Sequence, residues 1–103
     1  MDAGVTGFDC SDLTRNAYAR VGISIPRNSS QQYARLPKVG PSHLRAGDLV
    51  FWALDVTRPA TVHHVAIYLG NGQIIEVPWS GMTVRITGMR FGSGYIGAVR
   101  PGA

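Results

Sequence analysis

Cys10 is the one cysteine of this 103-residue chain, and it stands at the start of a predicted helix. Its sulfur is therefore expected near unpaired backbone N–H groups and the positive end of the helix dipole. Such a position lowers the pKa of a thiol and makes the nucleophilic thiolate available near neutral pH. A lone cysteine is commonly a small buried apolar residue, but the polar neighbours Asp9 and Ser11 argue against burial. Cys10 is therefore a candidate nucleophile.

A cysteine nucleophile needs a base to take its proton, and the chain has three histidines. His43 lies in a Pro-Ser-His loop, where a solvated side chain is expected. His63 and His64 open a predicted strand and must face opposite sides of the sheet, because side chains alternate along a strand. His64 shares its face with the small Ala66, which leaves room for a site, whereas His63 shares its face with bulky aliphatic residues expected in the core. The pattern favours His64 as the base, and His63 is the alternative.

Metal binding and sugar hydrolysis are the chemistries that compete for these side chains. A zinc site needs three or four converging ligands, and His63 and His64 with one distant cysteine do not form such a set. We therefore predict no metal and no other cofactor. A glycosidase needs two carboxylates that flank a sugar bond, and the spacing of Asp9, Asp48 and Glu76 does not favour that arrangement.

The charge balance narrows the possible partners. Ten Lys and Arg against six Asp and Glu give a formal charge of +4, which favours an anionic partner or environment. The basic residues lie singly and form no nucleic-acid-binding motif, so no nucleic-acid partner is predicted. No apolar stretch approaches the roughly 18 to 20 residues that span a bilayer, so no membrane insertion is expected. Nothing near Met1 has the pattern of a signal peptide, and we expect the chain to be part of a longer exported protein.

The elements that must position these side chains divide into helices followed by strands. Leu13, Ala17 and Val21 recur at four-residue spacing and predict a helix over Asp9–Val21, which Gly22 ends. A second, short helix is predicted around Tyr33. Five short runs rich in β-branched and aromatic residues follow, at Leu49–Ala53, His64–Leu69, Gln73–Val77, Thr83–Ile86 and Tyr95–Arg100. Consecutive strands without helices between them predict an α+β domain with an antiparallel sheet.

Four segments follow one another along the chain, from Gly7 to Ser11, Pro26 to Tyr33, Ala46 to Trp52 and His64 to Gly72. In their order and spacing they resemble the NlpC-type peptidases, which are bacterial cysteine endopeptidases of peptidoglycan with a reduced papain-like fold. The resemblance implies a single domain over residues 1–103, with the nucleophile helix packed on a five-stranded antiparallel sheet. The helix and strand that usually precede these segments in the family have no counterpart in the residues before Gly7.

By this resemblance Cys10 is the nucleophile, His64 is the general base and Glu76 is the third residue, which orients the imidazole. Asp9 and Ser11 match positions that contact the stem peptide of peptidoglycan in the family. Trp79, in a predicted loop after the strand of Glu76, is a further candidate for the substrate-binding surface.

The implied activity is hydrolysis of a peptidoglycan stem peptide, at the bond between γ-D-glutamate and meso-diaminopimelate. The alternative is a module of the same fold that binds the stem peptide with weak or no catalysis. Intact Cys10, His64 and Glu76 favour the enzyme, whereas Asp12, which stands where the family usually has glycine, favours the binding module. The expected location is outside the cell or in the cell wall, and the expected state is a monomer.

The triad implied by the resemblance restricts the register of the predicted hairpin over His64–Val77. A regular two-residue loop at Asn71-Gly72 would place Ile67 opposite Glu76 and put Glu76 on the face away from His64. A loop of odd length, or an even loop corrected by a bulge, would instead place Ala66 opposite Glu76. We therefore predict one of these two loops, with a Glu76 oxygen within hydrogen-bond distance of a His64 ring nitrogen and the Cys10 sulfur near the other.

Overall fold

The fold consists of two helices and a six-stranded antiparallel sheet, in a computed structural model that describes residues 10–78 and 83–102. The elements are α1 (Cys10–Ala19), α2 (Ser29–Arg35), β1 (Lys38–Val39), β2 (Leu49–Ala53), β3 (Val62–Gly70), β4 (Gln73–Glu76), β5 (Arg85–Gly88) and β6 (Tyr95–Val99). The strands lie in the order β1-β6-β2-β3-β4-β5. The predicted α+β class is confirmed.

The sheet differs from the prediction in the number of strands and in the bounds of four of the five predicted strands. β4 and β6 each end one residue before the predicted end, and the differences at β5 and β3 are larger. The additional strand is β1, which pairs with β6. It was not predicted because its two residues are too few to show an alternating pattern in the sequence. β5 covers Arg85–Gly88 rather than Thr83–Ile86, because its residues pair one by one with all four residues of β4. β3 begins at Val62, two residues before the predicted start.

Helix α1 ends close to where the sequence predicts. Gly22 has a φ of 81°, which glycine adopts without steric cost, and the N–H of Ile23 turns back to donate to the carbonyl of Tyr18 at 3.0 Å. The helix is tied to α2 by a buried contact in which Thr14 Oγ1 donates to Gln32 Oε1 at 2.9 Å. This contact fixes the start of α1, and therefore Cys10, relative to α2.

Both faces of the sheet are covered. On one face, buried residues such as Phe51 and Val65 pack against the helices, including Tyr18 and Tyr33. On the other face, a second buried cluster consists of Val50, Trp52, Ala66, Ile74 and Ala98. The central strand β2 is therefore buried at all five positions. Ala66, whose small side chain was expected to leave room beside His64, is itself fully buried in this second cluster.

Asp48, just before β2, has the structural role that its position suggests. Its carboxylate accepts two hydrogen bonds from the guanidinium of Arg100, each 2.8 Å long, and one from the backbone N–H of Arg45. The buried carboxylate is thus fully paired, which burial of a charge requires. It ties the residue after β6 to the start of the central strand.

Candidate active site

The turn between β3 and β4 is a two-residue loop. Asn71 and Gly72 have φ values of 52° and 72°, and a type I′ turn requires a positive φ at both central residues. Gly70 pairs with Gln73 on either side of the loop. A regular ladder continued from this pair would place Glu76 on the face of the sheet away from His64.

A bulge corrects this register. The pairing shifts by one residue at Leu69, so that Tyr68 pairs with Ile74 and Ile67 with Ile75. Continued by one residue, this register brings Ala66 opposite Glu76. Because His64 lies two residues from Ala66 on the same side of β3, Glu76 shares the face of His64. The structure therefore confirms the second of the two predicted loops, an even one corrected by a bulge.

The side chains of His64 and Glu76 meet as this register requires. His64 Nε2 lies 2.7 Å from Glu76 Oε1, and the Glu76 side chain is completely buried. A carboxylate can only accept, so Nε2 carries the proton and donates it to Oε1. In the neutral imidazole this leaves Nδ1 unprotonated, and Nδ1 is then the atom that can act as a base.

Two arginines that the sequence analysis did not single out complete the surroundings of Glu76. Arg85 donates from Nε to Oε2 at 2.9 Å, and Arg90 donates from Nη2 to Oε1 at 2.8 Å and from Nη1 to Oε2 at 3.2 Å. Burial alone would raise the pKa of Glu76, but hydrogen bonds from Arg90, His64 and Arg85 lower it to about 2. Glu76 is therefore ionised at every physiological pH.

The pKa of His64 is lowered from its ordinary value of 6.5. Burial is the largest cause, since it penalises the charged imidazolium, and the positive charges of Arg90 and His63 act in the same direction. The hydrogen bond and the charge of Glu76 oppose this shift without reversing it. His64 is therefore neutral near pH 7, as a general base must be.

Trp52 connects these groups on β2, the strand beside β3. It pairs with His64 across the two strands, and their ring centroids lie 5.3 Å apart. The indole Nε1 donates to the backbone carbonyl of Arg90 at 3.0 Å, and the Arg90 guanidinium lies over the ring at 4.9 Å from its centroid. Trp52 is 5% exposed, so it is a buried wall of the site.

Cys10 is the first residue of α1, and it is half-buried against the helix-facing core. Cys10, His64 and Glu76 all line one open cleft with a volume of about 1150 Å³, together with Trp52 and Arg90. His63 also lines this cleft but is exposed, whereas the His64 side chain is only 12% exposed. The sequence-predicted nucleophile, base and orienting carboxylate are thus brought to one place.

The predicted substrate-contacting residues are described only in part. Ser11 follows Cys10 in the first turn of α1 and is half-buried. Asp9 and Trp79 lie outside the described residues. Asp12, in the same turn of α1, forms an ion pair with Arg15 at 3.8 Å.

Residues 10–78 and 83–102 contain neither a cluster of metal ligands nor a membrane-spanning helix. In these ranges, no three His, Cys, Asp or Glu side chains are grouped so that they could hold a metal ion. Neither of the two helices there combines the length and the apolar character that crossing a membrane requires.

The ion pairs of Glu76 predict how stability depends on pH. The folded-state pKa of about 2 lies below the ordinary value of 4.5, so Glu76 stabilises the fold fully above pH 4.5 and progressively less as the pH falls toward 2. We expect the thermal unfolding midpoint of the wild-type chain to fall more steeply over this range than that of Glu76→Gln. Thermal unfolding monitored by circular dichroism between pH 2 and pH 7 measures both slopes, and parallel slopes would contradict the expectation.

The family model of the NlpC/P60 family matches residues 2–97 of this chain. The peptidoglycan endopeptidase RipA of Mycobacterium tuberculosis is 43% identical over 88 residues, which are 85% of this chain and 18% of RipA. A solved NlpC/P60 family protein from Bacillus cereus superposes with a TM-score of 0.81 at 40% identity, over 91% of this chain and 32% of that one.

A second similar structure is that of a protein described as non-catalytic. RipD of Mycobacterium tuberculosis, a non-catalytic NlpC/p60 domain protein adapted to peptidoglycan binding, superposes with a TM-score of 0.75 at 38% identity, over 90% of this chain and 66% of RipD. This chain spans less than a fifth of RipA and about a third of the Bacillus cereus protein. The match to the family model nonetheless covers almost the whole chain, and together with the shared fold it shows that this chain belongs to the NlpC/P60 family.

Proposed function

We propose that this domain is a cysteine endopeptidase that hydrolyses stem peptides of bacterial peptidoglycan. The observation that carries the proposal is the hydrogen bond of 2.7 Å between His64 and the buried Glu76, on the wall of a cleft that Cys10 also lines. RipA, a peptidoglycan endopeptidase, is similar to 85% of this chain, and this similarity supports the same substrate class. The proposed target is the bond between γ-D-glutamate and meso-diaminopimelate.

In the proposed reaction Cys10 is the nucleophile and His64 is the general base. Nδ1 of His64 takes the thiol proton, and the sulfur attacks the amide carbonyl to form a tetrahedral intermediate. The backbone N–H of Cys10 is the proposed donor to its oxyanion. The C–N bond then breaks as the imidazolium protonates the leaving amine, and water assisted by His64 hydrolyses the thioester to a carboxylic acid and the free thiol.

Glu76 is proposed to orient the imidazole rather than to accept its proton. With a pKa of about 2, its carboxylate stays ionised throughout and holds Nε2–H, so that Nδ1 remains the basic nitrogen. Glu76 is buried and bound on both oxygens, which restricts the ring of His64 to one orientation. Such orientation of a base supplies a large part of the advantage of an enzyme over free imidazole.

Asp9, Ser11 and Trp79 are the proposed contacts to the stem peptide. Asp9 and Ser11 flank the nucleophile in sequence and match positions that contact the stem peptide in the family. The cell wall is the proposed place of action, and the net charge of +4 favours approach to this polyanionic material.

A peptidoglycan-binding module without catalysis is the second candidate. RipD has this function with a similar fold, at a TM-score of 0.75. The acidic Asp12 in the first turn of α1 adds a negative charge near the thiol, and such a charge disfavours the thiolate. The presence of Cys10, His64 and Glu76 around one cleft favours the enzyme.

Digestion of purified muropeptides separates the two candidates. We expect the domain to convert a stem tetrapeptide into two fragments whose summed mass exceeds that of the substrate by one water, with a new amino terminus on the diaminopimelate. Mass spectrometry of the products identifies the bond. Binding of the muropeptide without any new fragment would reject the enzyme and favour the binding module, and cleavage at another bond would reject the proposed target.

Substitution of Glu76 tests its orienting role. We expect Glu76→Gln to lose about 10-fold in kcat and Glu76→Ala about 100-fold or more, because the glutamine oxygen still accepts a hydrogen bond from Nε2–H and alanine does not. Steady-state hydrolysis of a stem tetrapeptide measures both values. The unfolding midpoint of each variant is the control, since both changes leave two arginines without their carboxylate. Equal activity of the two variants would contradict the role.

A further inference from the structure

The two arginines around Glu76 bind its carboxylate differently, and only Arg90 contacts both oxygens. Both contacts of Arg85 are with Oε2, at 2.9 Å from Nε and 2.7 Å from Nη2. Arg90 binds both oxygens, and its Nη2 lies 2.8 Å from Oε1. Oε1 is the oxygen that also binds His64 Nε2. Arg90 and His64 therefore share one acceptor atom.

A second contact connects Arg90 to the other side of His64. The Arg90 guanidinium lies over the ring of Trp52, and the Arg90 backbone carbonyl accepts the Trp52 indole N–H. The Trp52 ring in turn lies against His64, with the ring centroids 5.3 Å apart. Arg90 thus contacts both groups that limit the rotation of the imidazole, the carboxylate and the indole.

We propose that Arg90 is a positioning residue for His64: its bidentate contact fixes the Glu76 carboxylate, and its charge balances that carboxylate so that the imidazole stays a neutral base. The expected effects on kcat rest on the proposed function, whereas the expected effect on the protonation of His64 does not. Arg85 is the less important of the two arginines, because it binds the oxygen that His64 does not contact.

The charged and titratable groups around His64 support this balance. Glu76 on β4 is the buried anion, and Arg85 on β5 and Arg90 after β5 bind it. His63 precedes His64 on β3, while Cys10 on α1 and Asp55 after β2 line the same cleft. Two guanidiniums against one buried carboxylate leave an excess of positive charge beside the ring, and such a charge disfavours the imidazolium.

Charge and geometry at position 90 can be separated by two substitutions. Arg90→Gln removes the charge, so the uncompensated part of the Glu76 charge would stabilise protonated His64. Arg90→Lys keeps the charge but cannot form the two parallel hydrogen bonds of a guanidinium. Arg85→Gln is the matched control for loss of a charge at Glu76, and Arg20→Gln, on an exposed residue after α1, is the control for net charge.

The test combines NMR titration of the histidine ring protons with steady-state cleavage of a stem tetrapeptide, for the wild type and the four variants. The His64 signal is assigned by its loss in His64→Gln. We expect the His64 titration midpoint to move to higher pH in Arg90→Gln, to move less in Arg85→Gln and to stay in place in Arg20→Gln. The acidic limb of the kcat/KM profile should move with it.

Arg90→Lys should keep the wild-type titration midpoint and lose about 10- to 100-fold in kcat, because the carboxylate and the ring are no longer held in place. An unchanged midpoint in Arg90→Gln, or an equal shift in Arg85→Gln, would overturn the charge balance. Wild-type kcat in Arg90→Lys would overturn the positioning role. The titration needs no substrate, so a shifted midpoint in a chain that cleaves nothing would reject the proposed function and support the charge balance.

Discussion

Cys10→Ala is expected to reduce stem-peptide cleavage by about four orders of magnitude or more, while the fold and stem-peptide binding remain. The proposed reaction passes through a thioester, and alanine cannot form one. Binding contacts and the chemical step are separable, because groups that hold the substrate do not need the sulfur. Cys10 is only half-buried, so loss of the sulfur removes little packing.

Two measurements check this expectation. Product formation from a stem tetrapeptide, followed by chromatography and mass spectrometry, gives the loss of activity, and isothermal titration with the same peptide gives the affinity. Asn16→Ala, at an exposed position of α1, is the matched control and should retain both cleavage and affinity. Cleavage by Cys10→Ala at more than about one hundredth of the wild-type rate would exclude Cys10 as the nucleophile.

The second large effect is expected at His64. We expect His64→Ala to lower kcat by about 1000-fold or more and His63→Ala to lower it by only a few fold, since general-base catalysis supplies roughly 10²- to 10⁴-fold. The two residues are adjacent but differently placed. His64 is largely buried and hydrogen-bonded to Glu76, whereas His63 is exposed at the cleft.

This pair of substitutions contains its own control, because the two variants lose the same side chain at neighbouring positions of one strand. Steady-state kinetics on a stem tetrapeptide gives kcat, and thermal unfolding shows that both variants fold. Glu76 keeps its two arginines in His64→Ala, so the buried charge stays paired and the fold is expected to hold. An inactive His63→Ala with an active His64→Ala would reverse the assignment of the base.

The hairpin could be predicted because its determinants are local. Asn71 and Gly72 are among the residues that tolerate the positive φ values of a tight turn, and period-two alternation assigns each neighbour to a face. These two rules limited the register to a few alternatives. The family resemblance required Glu76 to share the face of His64 and left two loops, and the structure shows the even one, corrected by a bulge at Leu69.

The cover on the second face of the sheet could not be predicted in the same way. Ala66 is small, and period-two alternation alone does not show that other residues bury it. In the structure, residues distant in sequence, such as Leu44 and Tyr95, pack over that face. Burial of this kind depends on which loops cross the sheet, and period-two alternation does not contain that information.

The sequence by itself determined the α+β class, the end of α1 to within two residues, and the strand and turn that carry His64. These features depend on side-chain periodicity, glycine and turn chemistry, which act over a few residues. Only the tertiary structure decided that Cys10 and His64 line one cleft and that Arg90 binds Glu76. Arg90 lies 14 residues from Glu76, beyond the end of β5, and no pairing rule connects the two. The attraction between a buried carboxylate and a guanidinium appears only after the sheet has removed that carboxylate from water.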